Sequence, residues 1–121
     1  MSETVVIIDD DERFRAAARM LLSSRGFAVV ADAPDGLSGM SAVDVHRPTY
    51  VLIDMQLPDI DGHKLSEHIG RTHPATRIIL TSNDADLWTE APSSAHFIFL
   101  AKEQIADSDL RALFSKPDTP T

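Results

Sequence analysis

The sequence predicts an α/β fold, a five-stranded parallel sheet with helices on both faces, and three observations carry that prediction. Five short β-branched runs recur along the chain, "TVVII", "AVVAD", "YVLID", "RIILTS" and "FIFLAK", each the length of a strand buried on both faces. Segments with helical spacing separate them, and strand-helix alternation of this kind builds a covered parallel sheet. The scale fits as well: 121 residues at 43% hydrophobic content suit one domain with its own core.

The elements follow in order. "TVVII" opens the sheet, and Phe14, Ala18, Leu21 and Leu22 then recur at the spacing of one helical face. Gly26 punctuates the connection to "AVVAD", and Gly36 the connection to a second helix carrying Leu37 and Met40. "YVLID" is the third strand; Leu65 and Ile69 mark the third helix, and "RIILTS" is the fourth strand. Between Asn83 and Ala95, Pro92 and adjacent serines leave room only for a short or irregular helix around Leu87 and Trp88. "FIFLAK" is the fifth strand, and Ile105, Leu110, Leu113 and Phe114 suggest a closing helix. Residues 1–115 therefore read as one domain, and 116–121, within "SKPDTPT", as a flexible tail or the start of a linker.

Charge and composition exclude several classes of function. The formal net charge is -8 with no lysine- or arginine-rich run, so this chain has no electrostatic source for holding a nucleic-acid backbone or an anionic membrane. Proteins are the expected partners. No cysteine is present, which removes disulfides and thiolate metal sites. The start "MSETVVIIDD" has no basic region ahead of its apolar run, and no segment approaches the roughly 18 apolar residues of a membrane helix. A cytoplasmic location is the expectation. The five histidines show no metal-ligand spacing and read as surface residues.

The informative residues stand where strands end. The first run leads into Asp9, Asp10 and Asp11, followed by Glu12; the third ends in Asp54, the fourth in Thr81 and Ser82, the fifth in Lys102. In open α/β sheets the ligand crevice lies beyond the carboxyl ends of the strands, so acids, a hydroxyl and an amine would converge there. Crowded carboxylates disfavour each other's ionisation and need solvent, a helix N-terminus or a cation. Asp11 is well placed to cap the first helix. Taken singly, each residue also has a plain structural reading: a cap, a turn, a β-former, a solvated strand end.

Together these residues resemble one family, the receiver domains of two-component response regulators. The resemblance spans nearly the whole chain and rests on "IIDDDERFR", "YVLIDMQLPDIDG", "IILTS" and "FIFLAKEQI". It implies a flavodoxin-like, doubly wound sheet of strand order 2-1-3-4-5, an order that periodicity alone does not yield. With the first and third strands adjacent, their ends lie about 5 Å apart, and Asp9 and Asp10 come close to Asp54. A hard divalent cation offsets that repulsion. The resemblance implies Mg²⁺ held by Asp10, Asp54 and the Gln56 backbone carbonyl, with Asp9 acting mainly through water. It implies that Asp54 accepts a phosphoryl group from a phosphohistidine on a sensor histidine kinase or phosphotransfer protein. Lys102 and Thr81 would hold that group, and Phe99 would be the aromatic switch residue. Output would pass through the face formed by the fourth helix, the fifth strand and the closing helix, to a downstream protein or a second copy. The chain is then a phosphoacceptor and not an enzyme beyond self-phosphorylation and self-dephosphorylation.

Two other readings start from the same residues. A Mg²⁺-dependent phosphohydrolase also uses a strand-end aspartate, but it wants another acid two positions on, where this chain has Gln56, and a cap domain that 121 residues do not hold. A receiver-like binding module working without phosphate would not need the intact set Asp9, Asp10, Asp54, Thr81 and Lys102. The chain departs from common family usage at Glu103, where proline is frequent, and at Ile98, where glycine is. Stand-alone receiver and receiver cut from a longer DNA-binding regulator both remain compatible with this sequence.

Overall fold

Among residues 3–83 and 97–107, which the computed structural model describes, five strands form one parallel sheet in the order β2-β1-β3-β4-β5. The strands are β1 Thr4–Ile8, β2 Ala28–Ala33, β3 Tyr50–Asp54, β4 Arg77–Ser82 and β5 Phe97–Ala101. The helices are α1 Glu12–Ser24, α2 Gly36–His46 and α3 Gly62–Thr72, and a 3-10 helix, Lys102–Asp107, follows β5. The α/β class and the strand order expected from the family resemblance are both present. The expected helix around Leu87 and Trp88, the Leu110, Leu113 and Phe114 part of the closing helix, and the 116–121 tail lie outside the described residues.

Alternation along each strand divides the core into two layers. Val5, Ile7, Tyr50, Leu52 and Ile79 face α1, where Ala18 and Leu22 cover them. Val6, Ile8, Val51, Ile53, Ile78 and Leu80 face α2 and α3, where Val43, Leu65 and Ile69 cover them. Of the largest fully buried side chains, all but Leu22 and Ile69 come from β1, β3 and β4. Each such side chain contributes about 1.5–3 kcal/mol by burial, so the central strands hold the sheet together and fix the heights of their carboxyl ends.

Three sequence expectations need correction. The run "AVVAD" is not buried on both faces: β2 is an edge strand, Val30 is 36% exposed and Asp32 faces solvent. A bulge explains the break in pattern. Val5 pairs with Val29 but Val6 pairs with Ala31, so Val30 has no partner on β1 and the residues after it change face. Leu37, expected on the buried stripe of α2, is 78% exposed. The buried face of α2 is instead Gly36, Gly39 and Val43. A Cβ on Gly39 would stand 2.6 Å from Ile8 Cδ1, so α2 lies against β1 through absent side chains, which no apolar pattern reveals. Finally, β5 stops at Ala101, and Lys102 and Ile105 belong to the 3-10 helix.

Candidate functional site

Each strand-end residue is brought to one edge by the register. Asp9 follows β1 directly and Asp54 closes β3, with Ile8 paired to Ile53. Asp54 is the register partner of Thr81 on β4. Thr81 in turn pairs with Leu100 on β5, two residues before Lys102. Thus Asp9, Asp54, Thr81 and Lys102 converge as the sequence led one to expect.

The carboxylates are crowded. One oxygen from each of Asp9, Asp10 and Asp54 lies within 4.8 Å of the others, the one such group of potential metal ligands among the described residues. Asp9 and Asp54 are buried and Asp10 is exposed. Local backbone groups hold them in place. Asp9 Oδ1 accepts from the Asp11 N–H at 2.8 Å, and Asp54 Oδ1 accepts from the Gln56 N–H at 3.2 Å. Asp11 caps α1 through the N–H groups of Arg13 and Phe14, as expected from sequence. Arg15 on the same turn donates to the Asp9 backbone carbonyl at 2.8 Å.

Lys102 supplies the opposite charge. Its Nζ lies 2.7 Å from Asp9 Oδ2 and 3.6 Å from Asp54 Oδ2. The nearer contact is a charge contact and not a well-directed hydrogen bond, which leaves Asp9 Oδ2 buried without a hydrogen-bond donor. Burial raises the Asp54 pKa above the usual carboxylate value. The Gln56 N–H bond opposes that rise, the Asp9 charge adds to it, Lys102 counters it, and Asp10 adds a little more. A carboxyl in this position is therefore costly to ionise until a further cation or donor arrives.

The loop from Met55 to Asp61 is pinned at both ends. The Met55 N–H donates to the Thr81 carbonyl at 2.9 Å, and the Gly62 N–H donates to the Met55 carbonyl at 2.9 Å. Gly62 is required where it stands: any Cβ would run into the Asp54 carbonyl oxygen. Asp61 caps α3 through the His63 and Lys64 N–H groups. Gln56, whose carbonyl is one of the expected metal ligands, bridges to Asp61 and has an exposed side chain. Thr81 is buried, and its hydroxyl lies 3.4 Å from the Ile53 carbonyl. Phe99 is half-buried against the α2–α3 layer.

Sequence reasoning missed three residues around this edge. Phe14, read only as a helical core position, has its ring centroid 4.7 Å from Lys102 Nζ. Arg15 had no signal beyond its place in "DDDERFR". Asp59, inside "LPDIDG", reaches α2: its Oδ1 accepts from the Gly36 N–H at 2.8 Å and its Oδ2 from the Leu37 N–H at 2.9 Å.

Comparison with known proteins agrees with this architecture. The transcriptional regulatory protein CseB of Streptomyces avermitilis is 39% identical over 82 residues, 68% of this chain and 34% of that protein. DegU of Brevibacillus brevis is 28% identical over 112 residues, 90% of this chain and 48% of that protein. The chain thus spans about a third to a half of these regulators. It spans nearly all of the chemotaxis protein CheY of Bacillus subtilis, with 28% identity over 93% of this chain and 96% of that one. Among solved structures, the signal receiver domain of the response regulator NarL from Mycobacterium tuberculosis has TM-score 0.76 at 24% identity, covering 95% of this chain and 98% of that one. A CheX-CheY-BeF3-Mg complex from Borrelia burgdorferi has TM-score 0.74 at 21% identity, covering 94% and 90%. The family model for the response regulator receiver domain matches residues 5–114, nearly the full length of the sheet and helices that build this acidic edge, and the chain belongs to that family.

Proposed function

We propose that this chain receives a phosphoryl group on Asp54 and passes the event on as a change of shape. One observation carries the reading: a single ammonium, Lys102 Nζ, stands 2.7 Å from Asp9 and 3.6 Å from Asp54, beside a third carboxylate and a buried hydroxyl. An ordinary structural ion pair needs one carboxylate, and a surplus of negative charge around one cation is an arrangement completed by a second cation.

The residues fit Mg²⁺. Oxygens of Asp9, Asp10 and Asp54 lie within 4.8 Å of one another, and Asp9 Oδ2 is buried with no hydrogen-bond donor. All are hard oxygen ligands of the kind this ion prefers. Asp10, Asp54 and the Gln56 carbonyl would hold it, with Asp9 acting through water. When bound, it supplies positive charge opposite the phosphoryl oxygens.

An oxygen of ionised Asp54 attacks the phosphorus of a phosphohistidine on a histidine kinase or phosphotransfer protein. The new O–P bond forms as the N–P bond breaks, and the released imidazole nitrogen keeps the electron pair and takes a proton. Lys102 meets the phosphoryl oxygens from the β5 side, and Thr81, across the ladder from Asp54, donates its hydroxyl to one of them. Drawing Thr81 toward Asp54 changes the packing at Phe99. Phe99 has no hydroxyl, so the response there is a change of packing alone. The readout is a protein or a second copy docking on the face that includes β5. At net charge -8 this chain does not hold nucleic acid. Its working place is the cytoplasm, and its own chemistry ends with gaining and losing the phosphoryl group.

Incubation with Mg²⁺ and acetyl phosphate followed by intact mass tests the reading. One added phosphoryl group is expected on the wild type and none on Asp54→Asn. A full-yield adduct on the variant would remove Asp54 from its role, and no adduct on the wild type would favour a module that works without phosphate.

A further inference from the structure

We infer that Phe14 is a positioning residue: its ring holds the Lys102 ammonium where it can serve both Asp9 and the group arriving on Asp54. The inference rests on the phosphoacceptor reading above and extends it to a residue outside the acidic cluster.

The geometry is built by the first turn of α1. Asp11 accepts from the Phe14 N–H at 3.3 Å while its own N–H binds Asp9 Oδ1 at 2.8 Å, and Arg15 grips the Asp9 carbonyl at 2.8 Å. The turn that carries Phe14 is therefore bonded to the same aspartate that Lys102 touches. With that turn fixed, the Phe14 ring centroid lies 4.7 Å from Nζ, inside the roughly 6 Å range of a cation–π contact.

Lys102 has two carboxylate partners at unequal distances, and Asp9 at 2.7 Å outcompetes Asp54 at 3.6 Å. An ammonium tied to Asp9 alone would have to break that pair to meet a phosphoryl oxygen. The ring offers an attraction that favours neither acid and keeps water off one side of the charge. The side chain is only 9% exposed, and a charge shielded from water acts more strongly on its neighbours. Phe14 also packs against the α1 side of the core, so the test must separate a role through Lys102 from a role in packing.

Two measurements on the full chain do so. In spectra of the unphosphorylated protein, the ε-methylene protons of Lys102, one of three lysines, should be displaced upfield by the ring and return to the ordinary range in Phe14→Leu. In acetyl phosphate labelling with Mg²⁺, Phe14→Leu should slow phosphorylation by about three- to tenfold, the span of a partly shielded cation–π contact, and Phe14→Tyr should restore it. In a Lys102→Ala background, Phe14→Leu should cause no further slowing. An undisplaced Lys102 signal, or equal slowing with and without Lys102, overturns the inference. Because the spectral arm needs no phosphorylation, a wild type that takes up no phosphoryl group defeats the phosphoacceptor reading while the ring-to-ammonium geometry is still decided.

Discussion

Asp59, in the loop that follows the acceptor strand, caps a helix to which it does not belong. Its carboxylate accepts from the N–H groups of Gly36 at 2.8 Å and Leu37 at 2.9 Å, at the first turn of α2. The N-cap residue of α2, Asp35, spends its side chain on Ser38, accepting from the N–H at 2.8 Å and from the hydroxyl at 2.6 Å, and that first turn has no acid of its own. The first turn is thus completed from across the sheet edge.

Removing this cap should loosen α2 without unfolding β3. In Asp59→Ala, amide exchange at Gly36 and Leu37 should accelerate while Val51 and Ile53 stay protected, and the melting temperature should fall. Asp59→Asn, which keeps an acceptor but loses the charge, should fall in between. Unchanged exchange at Gly36 would show that solvent substitutes fully for the carboxylate.

Asp32 gives the fold a defined acid limit. Its carboxylate meets Arg15 Nε at 3.1 Å and Arg19 Nη2 at 2.7 Å, and the Arg19 hydrogen bond, more than any other partner, holds its pKa below the usual 3.8. The folded-state pKa is the lower one, so the stabilisation is fully present above pH 3.8 and disappears as pH falls through the folded value. Asp32→Asn should cost about 1 kcal/mol at pH 7, discounted for the solvent around these side chains. It should also flatten the acid limb of the stability curve. A variant with an unchanged pH profile below 4 would remove this pair from the account of acid unfolding.

Asp54 has the opposite sign. Burial, more than any other cause, raises its pKa, so in metal-free buffer it destabilises the fold progressively as pH rises above its unfolded value of 3.8. Asp54→Asn should therefore melt higher than wild type at pH 7 in the presence of a chelator and gain less from added Mg²⁺. A lower melting temperature in chelator would mean that the Lys102 and Gln56 contacts outweigh the burial and repulsion.

Lys102→Ala should show what the ammonium does for Asp9. It leaves a fully buried carboxylate without its nearby positive charge, a change that costs about 3 kcal/mol for a buried pair. Urea unfolding should find that loss in chelator and a smaller one in Mg²⁺, because a divalent cation replaces the missing charge. An equal loss in both buffers would argue that the metal and Lys102 serve different acids.

How much of this was legible beforehand follows from how far each property depends on contacts between distant residues. Strand runs, the Asp11 cap and the identities of Asp9, Asp54, Thr81 and Lys102 are read along the chain, because residue type and local spacing are local chemistry. The strand order needed the family resemblance, since periodicity says which residues form strands but not which strands are neighbours. Three features were decided by packing alone. The bulge at Val30 turns β2 over in mid-strand. The approach of α2 to Ile8 through Gly39 exposes Leu37. The meeting of Phe14 with Lys102 joins the first turn of one helix to the residue after the last strand. A missing side chain, a slipped register and a contact between residues far apart in the chain leave no periodic trace, so only the tertiary structure places them.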